Sequence, residues 1–374
     1  METWTTAVGG VDGTDRRDFL KVCAMAAASV GLTGAAVEQV AQAAVERKLK
    51  PSVIWLHFQE CTGCTESLLR TSHPALSSLI LDLVSLDYHE TLLAASGHQA
   101  EKCLEETMKA NEGKYVLVVE GAIPVKDGGI YCKIGGKTAL ELVNTVAAKA
   151  GAIIAIGSCA SWGGIPSADP NPTGATGAPE VLKGKTVVTI PGCPANPYNL
   201  LGVVLQFATF GTLPALDELG RPKFAYGRTI HEHCPRRAHF DAGRFAREYG
   251  DANHREGHCL YMLGCKGPAT HANCSTLHFG EVVDAWPIGI GAPCFGCTEQ
   301  KLGFRMPLHQ TVDIQRPTPP DTYPAIHEKR GGIAPLATGL VGAIGGAIAT
   351  YGVLASKKID AAGSSDGAEP PKGV

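Results

Sequence analysis

The chain has 374 residues, with 33 Lys and Arg against 36 Asp and Glu for a formal net charge of −3, and 44% of it is hydrophobic. That length suffices for two domains with cores of their own; the composition excludes a disordered chain, and the near-neutral balance offers no basic footprint for nucleic acid. Thirteen cysteines is an odd number, so complete intramolecular disulfide pairing is excluded as well, which leaves metal ligation or redox chemistry as the reading to test.

Residues 1–43 read as a bacterial twin-arginine export signal. Arg16-Arg17-Asp18-Phe19-Leu20-Lys21 precedes an Ala/Gly-rich apolar run from Val22, and Ala41-Gln42-Ala43 supplies small residues at a cleavage site. This route exports folded proteins, so the cysteines meet a reducing cytosol first, where metal loading outcompetes disulfide formation.

Residues 51–225 alternate short β-rich runs with helical ones. The apolar runs predict strands at Val53–Phe58, Val84–Tyr88, Tyr115–Glu120, Ile153–Ile156 and Thr186–Ile190, and helical spacing predicts helices over His98–Ala110, Lys137–Ala150 and Asn199–Phe210. Continuous apolar strands separated by helices indicate a parallel, doubly wound α/β sheet of flavodoxin-like type. Sites in such sheets form at the carboxyl ends of the strands. Cys61 and Cys64, Cys159 and Cys193 each follow a predicted strand.

From 226 to 323 the periodicity fades and Cys, His, Gly and Pro dominate. A stretch this long without regular elements needs another source of order, and bound metal clusters would supply it. Residues 333–355 carry no charge over 23 positions and are followed by Lys357 and Lys358. They read as a single transmembrane anchor with a cytoplasmic tail at 356–374, the body lying on the periplasmic face of the cell membrane.

Two Cys-x2-Cys pairs stand out, Cys61-Thr-Gly-Cys64 and Cys294-Phe-Gly-Cys297. Either alone suits zinc, a redox dithiol or iron–sulfur. Zinc needs four ligands, whereas further cysteines sit in Gly- and Pro-rich turns throughout the chain, a surplus of soft thiolates that favours iron–sulfur clusters. His231-Glu-His-Cys234 offers mixed ligation, but nothing local separates His231 from His233.

The motifs Cys61-Thr-Gly-Cys64-Thr-Glu-Ser, Gly157-Ser-Cys159-Ala-Ser-Trp-Gly-Gly164, Pro191-Gly-Cys193-Pro, His231-Glu-His-Cys234, Cys259-Leu-Tyr, Leu263-Gly-Cys265-Lys-Gly-Pro, Asn273-Cys274-Ser and Pro293-Cys294-Phe-Gly-Cys297 together resemble the small subunit of membrane-bound uptake NiFe hydrogenases. The resemblance runs in order along essentially the whole chain. It implies a relay of three clusters: a proximal 4Fe–4S on Cys61, Cys64, Cys159 and Cys193, a distal 4Fe–4S on His231, Cys234, Cys259 and Cys265, and a medial 3Fe–4S on Cys274, Cys294 and Cys297. Pro287 stands where a four-iron medial site would need a cysteine. Cys23 falls in the signal, and Cys103 and Cys132 read as buried thiols.

The oxygen-tolerant members of the family carry two extra cysteines that match Gly63 and Gly164 here, which implies the conventional oxygen-sensitive form. Glu60 matches a position near the proton path, while a carboxylate there can equally bond to backbone or face solvent. Arg236 and Arg237 beside the distal set either guide an electron acceptor or form a solvated surface pair. The implied partners are a large subunit that holds the Ni–Fe centre and a membrane cytochrome b or other quinone-reacting subunit, reached directly or through another iron–sulfur protein. Two other readings compete: an iron–sulfur subunit of a complex I type enzyme, which lacks the 228–323 region and the export signal, and an exported, membrane-tethered zinc or disulfide-binding module without redox activity.

Overall fold

The structure, a computed structural model, describes residues 50–72, 84–279 and 282–314. The export signal and the 333–355 anchor read from the sequence lie outside these residues. Among the described residues no helix is long and apolar enough to cross a membrane.

Five strands form the central sheet: β1 (Ser52–His57), β2 (Ser85–His89), β3 (Val116–Glu120), β4 (Ala152–Ile156) and β5 (Val187–Ile190). All pairings are parallel, in the order β2-β1-β3-β4-β5. Each predicted strand is present within a residue or so of its expected bounds. The register matters most at the carboxyl edge, where His57 pairs with Glu120, Glu120 with Ile156, and Ile156 with Ile190. Four strands therefore end level, and the loops that follow them open on one edge. Between β1 and β3 the chain order reverses, which makes a crevice of the kind where open α/β sheets bind their ligands.

The longer helices are α1 (Gly63–Leu69), α2 (His98–Ala110), α3 (Ala139–Ala147), α4 (Gly157–Trp162) and α5 (Pro197–Phe210). The expected 137–150 helix starts two residues late because Lys137–Thr138 pairs with Lys133–Ile134 in a hairpin. Thr138 then caps α3 in a reciprocal box with Glu141. The expected 199–210 helix instead begins at Pro197, whose fixed φ suits the first helical position, with the Asn196 side chain accepting from the Tyr198 amide.

The strands are apolar throughout because both faces are covered. Ile54, Leu56, Leu117, Val119, Ile153 and Ala155 pack with Leu104 of α2 and with Leu142, Val143 and Val146 of α3. On the other face Trp55, Val118, Ile154 and Ile190 pack with Leu200, Val203 and Val204 of α5. That core continues without a break into Leu260, Leu263, Trp286 and Ile288 of the cysteine-rich region. Each such side chain fully removed from water contributes about 1.5–3 kcal/mol.

Among its described residues the cysteine-rich region has only single helical turns, the longest spanning Arg237–Asp241. Buried cations tie it together. Lys266 is fully buried, its Nζ donating to the carbonyls of Pro307 and Leu308 at 3.0 Å and of Gly264 at 3.3 Å. Arg221 donates to Asp217 and Glu299 at 2.8 Å and to the Thr298 carbonyl at 3.0 Å, and so joins the chain after α5 to the segment beside Cys297. Burial opposes ionisation of Glu299, but hydrogen bonds from His271 and the nearby Arg221 outweigh it and hold its carboxyl below the ordinary value of 4.5.

Removing one partner of such a buried pair costs about 3–5 kcal/mol, so Arg221→Ala is expected to lower the melting temperature markedly. Because the folded pKa of Glu299 is depressed, its contribution is complete above 4.5 and is lost as pH falls through the folded value. The stability gap between wild type and Glu299→Gln should therefore close on acidification, as measured by thermal melting at a series of pH values.

Candidate metal centres

The first thiol set gathers at the level edge of the sheet. Cys61 and Cys64 follow β1, with Thr62 between them in the left-handed region at φ 61° and Cys64 in the first turn of α1. Cys159 lies in α4 just after β4, on a helix rather than the turn the sequence suggested, and Cys193 follows β5. The four feel one another electrostatically: Cys159 and Cys193 act on Cys64, Cys193 and Cys61 on Cys159, and Cys61 on Cys193. The backbone leaves room for sulfur where it must. A Cβ at Gly157 (φ 81°) would sit 2.6 Å from Cys64 Sγ, and one at Gly164 would sit 2.7 Å from Cys159 Sγ. Cys61 is exposed, so this set opens on the surface.

Behind Cys64 lies a polar network that the sequence motifs do not reveal. Glu120, 2% exposed, accepts from the amides of Cys64 (3.0 Å) and Thr65 (3.2 Å), from Thr65 Oγ1 (2.6 Å) and from the Trp55 indole (3.0 Å). One signal for it was in plain view, a carboxylate ending an otherwise apolar strand. Glu60 contacts His57 Nδ1 at 3.2 Å and accepts from Thr62 Oγ1 at 3.3 Å; its second oxygen is buried without a partner among the described residues. His89 approaches His57 and Thr65, and burial, followed by the charge of His57, pushes its pKa down to about 3.

A second set, Cys274, Cys294 and Cys297, lines a largely apolar cavity. Pro287 lines the same cavity, placing carbon among the three sulfurs. Burial pushes Cys274 up to about 12, and the charge of Cys294 adds to the effect.

The third set, His231, Cys234, Cys259 and Cys265, lines a smaller cavity together with Arg236. The structure separates the two histidines. His231 is buried and its Nε2 has no partner among the described residues; burial and the charge of Arg237 lower its pKa to about 4, which keeps the imidazole neutral and available as a ligand. A capping box between Thr229 and Glu232 fixes this turn, and Phe240 meets the ring edge-on at 4.5 Å. His233 instead meets exposed Arg228 at 3.1 Å. Arg237 is 4% exposed and paired with Asp241 at 2.9 Å, so a solvated surface pair does not describe it. Arg236 donates to the His258 carbonyl at the cavity wall.

The sets join end to end. Cys193 acts electrostatically on Cys297, and Cys265 on Cys294. Cys193 lines the second cavity, and the Lys266 amide donates to the Cys294 carbonyl at 2.7 Å. Cys103 and Cys132 stand apart, Cys103 donating to the Asp87 carbonyl and Cys132 packing on the opposite face of the sheet. Ten soft thiols, an orphaned imidazole nitrogen and glycines that spare the sulfurs form a donor set that fits iron–sulfur clusters.

Residues 61–207 match the family model described as NADH ubiquinone oxidoreductase, 20 Kd subunit, and residues 226–309 match the model for the C-terminal part of the NiFe/NiFeSe hydrogenase small subunit. Over 358 residues the chain is 50% identical to the hydrogenase-2 small chain of Escherichia coli strain K12, covering 96% of each. The chain belongs to the NiFe hydrogenase small subunits. Such a small subunit transfers electrons within an enzyme that also requires a large subunit. This small subunit is also 47% identical over 288 residues to the periplasmic [NiFe] hydrogenase small subunit of Solidesulfovibrio fructosivorans, covering 77% of this chain and 90% of that one. The reduced, active Ni-Fe-Se hydrogenase of Desulfomicrobium baculatum has a similar structure, with TM-score 0.66 at 33% identity over 70% of this chain and 100% of that chain. The first family match covers the sheet domain, which the complex I type reading shares; the second covers the cysteine-rich region that reading lacks.

Glu120→Ala would strand two amides and an indole without their acceptor, at about 1–3 kcal/mol for each buried group left unpaired. The variant enzyme is expected to lose about four iron atoms per small subunit, whereas Glu120→Gln, which keeps one acceptor oxygen, retains them. Iron analysis of both purified heterodimers checks this.

Proposed function

We propose that this small subunit relays electrons from hydrogen oxidation through three clusters to a membrane acceptor and the quinone pool. The continuous row of eleven ligand side chains carries the reading. Cys61, Cys64, Cys159 and Cys193 hold a proximal 4Fe–4S group at the exposed edge. Cys274, Cys294 and Cys297 hold a medial 3Fe–4S group, since Pro287 supplies no fourth sulfur. His231, Cys234, Cys259 and Cys265 hold a distal 4Fe–4S group. When bound, these clusters supply one-electron redox steps whose potentials follow burial and hydrogen bonds to sulfur. The chain's own part is to space them, exclude water and direct amides at the sulfurs.

The Ni–Fe centre belongs to the large subunit, because no cysteine pair is left here to hold it. Glu60, its second oxygen without a partner among the described residues, is the proton-path residue of this reading. Gly63 and Gly164 leave that site with four thiols, as the oxygen-sensitive form requires. Arg236, at the wall of the distal cavity, steers the acceptor, a cytochrome b or other quinone-reacting subunit with or without an intervening iron–sulfur protein, while Arg237 is buried against Asp241. Export by the twin-arginine route and a 333–355 anchor put the enzyme on the periplasmic face of the membrane.

Purification of the heterodimer from membranes should give a brown protein with about eleven iron atoms per small subunit and hydrogen-dependent quinone reduction. A colourless, zinc-loaded protein would overturn the relay and support the zinc module instead. Pro287→Cys supplies the missing thiolate, and the oxidised variant is expected to lose its three-iron electron paramagnetic resonance signal while gaining about one iron atom.

A further inference from the structure

Ser158 is 1% exposed and precedes the proximal ligand Cys159. Its Oγ donates to the carbonyl of Cys297 at 2.7 Å and accepts the amide of Gly192 at 3.1 Å. Its own amide donates to the Gly192 carbonyl at 2.9 Å. That carbonyl belongs to the peptide group linking Gly192 to Cys193, which lines the same cavity as Cys297. One serine thus grips both sides of the contact, holding the proximal peptide by its oxygen and the medial residue by its carbonyl. The three segments it joins are far apart in sequence, following β4, following β5, and at the second Cys-x2-Cys pair.

We propose that Ser158 is a positioning residue that fixes the spacing between the proximal and medial thiol sets. Its hydrogen bonds go to backbone groups, and it acts through the two backbone segments it bridges. The proposal rests on the relay reading above. A hydroxyl is required because a single group must both donate and accept in a place closed to water. Alanine would leave the Cys297 carbonyl and the Gly192 amide without the Ser158 hydroxyl, and the Cys297 loop free to shift away from Cys193.

The test uses the complete heterodimer as wild type, Ser158→Ala and Ser158→Thr. Electron paramagnetic resonance of the medial group is followed through a redox titration, alongside iron analysis. Oxidised wild type is expected to show the medial signal, lost on reduction at one midpoint potential. Ser158→Ala should keep its iron and its KM for hydrogen but show a medial signal of altered shape and a shifted midpoint, and Ser158→Thr, which retains the hydroxyl, should restore both. An unchanged medial signal and midpoint in Ser158→Ala at full iron content overturns the assignment. Should the alanine variant fail to assemble, an altered signal and midpoint in an iron-replete Ser158→Thr enzyme overturns it. Wild-type enzyme without a medial signal overturns the relay reading itself, so the two failures are distinct.

Discussion

Everything in this molecule depends on where four parallel strands stop. His57, Glu120, Ile156 and Ile190 stand level across β1, β3, β4 and β5, and the residues just past them carry the proximal cysteines and the groups that hold them. A slip of one residue in any pairing would turn alternate side chains to the wrong face. Glu120 would then lose the Cys64 amide, and Ser158 would lose the Gly192 peptide. The apolar alternation that builds the two cores is therefore also what aligns the site.

The cysteine-rich region solves a different problem. It has too little regular structure to satisfy its own backbone, so order comes from the sheet core it shares, from Lys266 held by three carbonyls and from Arg221 held by two carboxylates. Burial, as the largest influence, pushes thiols such as Cys159 and Cys234 up to about 12, a costly environment for a thiolate without a cation. Metal ligands must be deprotonated, so bound iron both requires and stabilises the charge that the cavity otherwise disfavours.

Much of this was legible in the sequence. The five strands were readable because both their faces are covered, which leaves uninterrupted apolar runs, and the Cys-x2-Cys spacing and ordered motifs marked all ten thiols. What escaped was long-range. Glu120 lay inside a correctly expected strand, but its partners in β1 and α1 are brought to it by folding. His231 and His233 look alike in one dimension and differ only in which one faces a cavity. Arg237 resembled a surface charge until Asp241 and Phe240 were seen to enclose it. Cys159 belongs to a helix too short to show a period, and Ser158 is an ordinary serine until the loop after β5 and the one carrying Cys297 fold against it.

The unbroken core between sheet and cysteine-rich region has a consequence for timing. Two parts that share buried side chains such as Trp55, Ile190, Leu263 and Trp286 have no hinge to open, because any opening would expose those side chains to water. The chain is accordingly a rigid spacer rather than a gate. An electron-transferring subunit packed this way keeps its cysteine sets at the distances that folding gives them, with no closure between these two parts to time the passage.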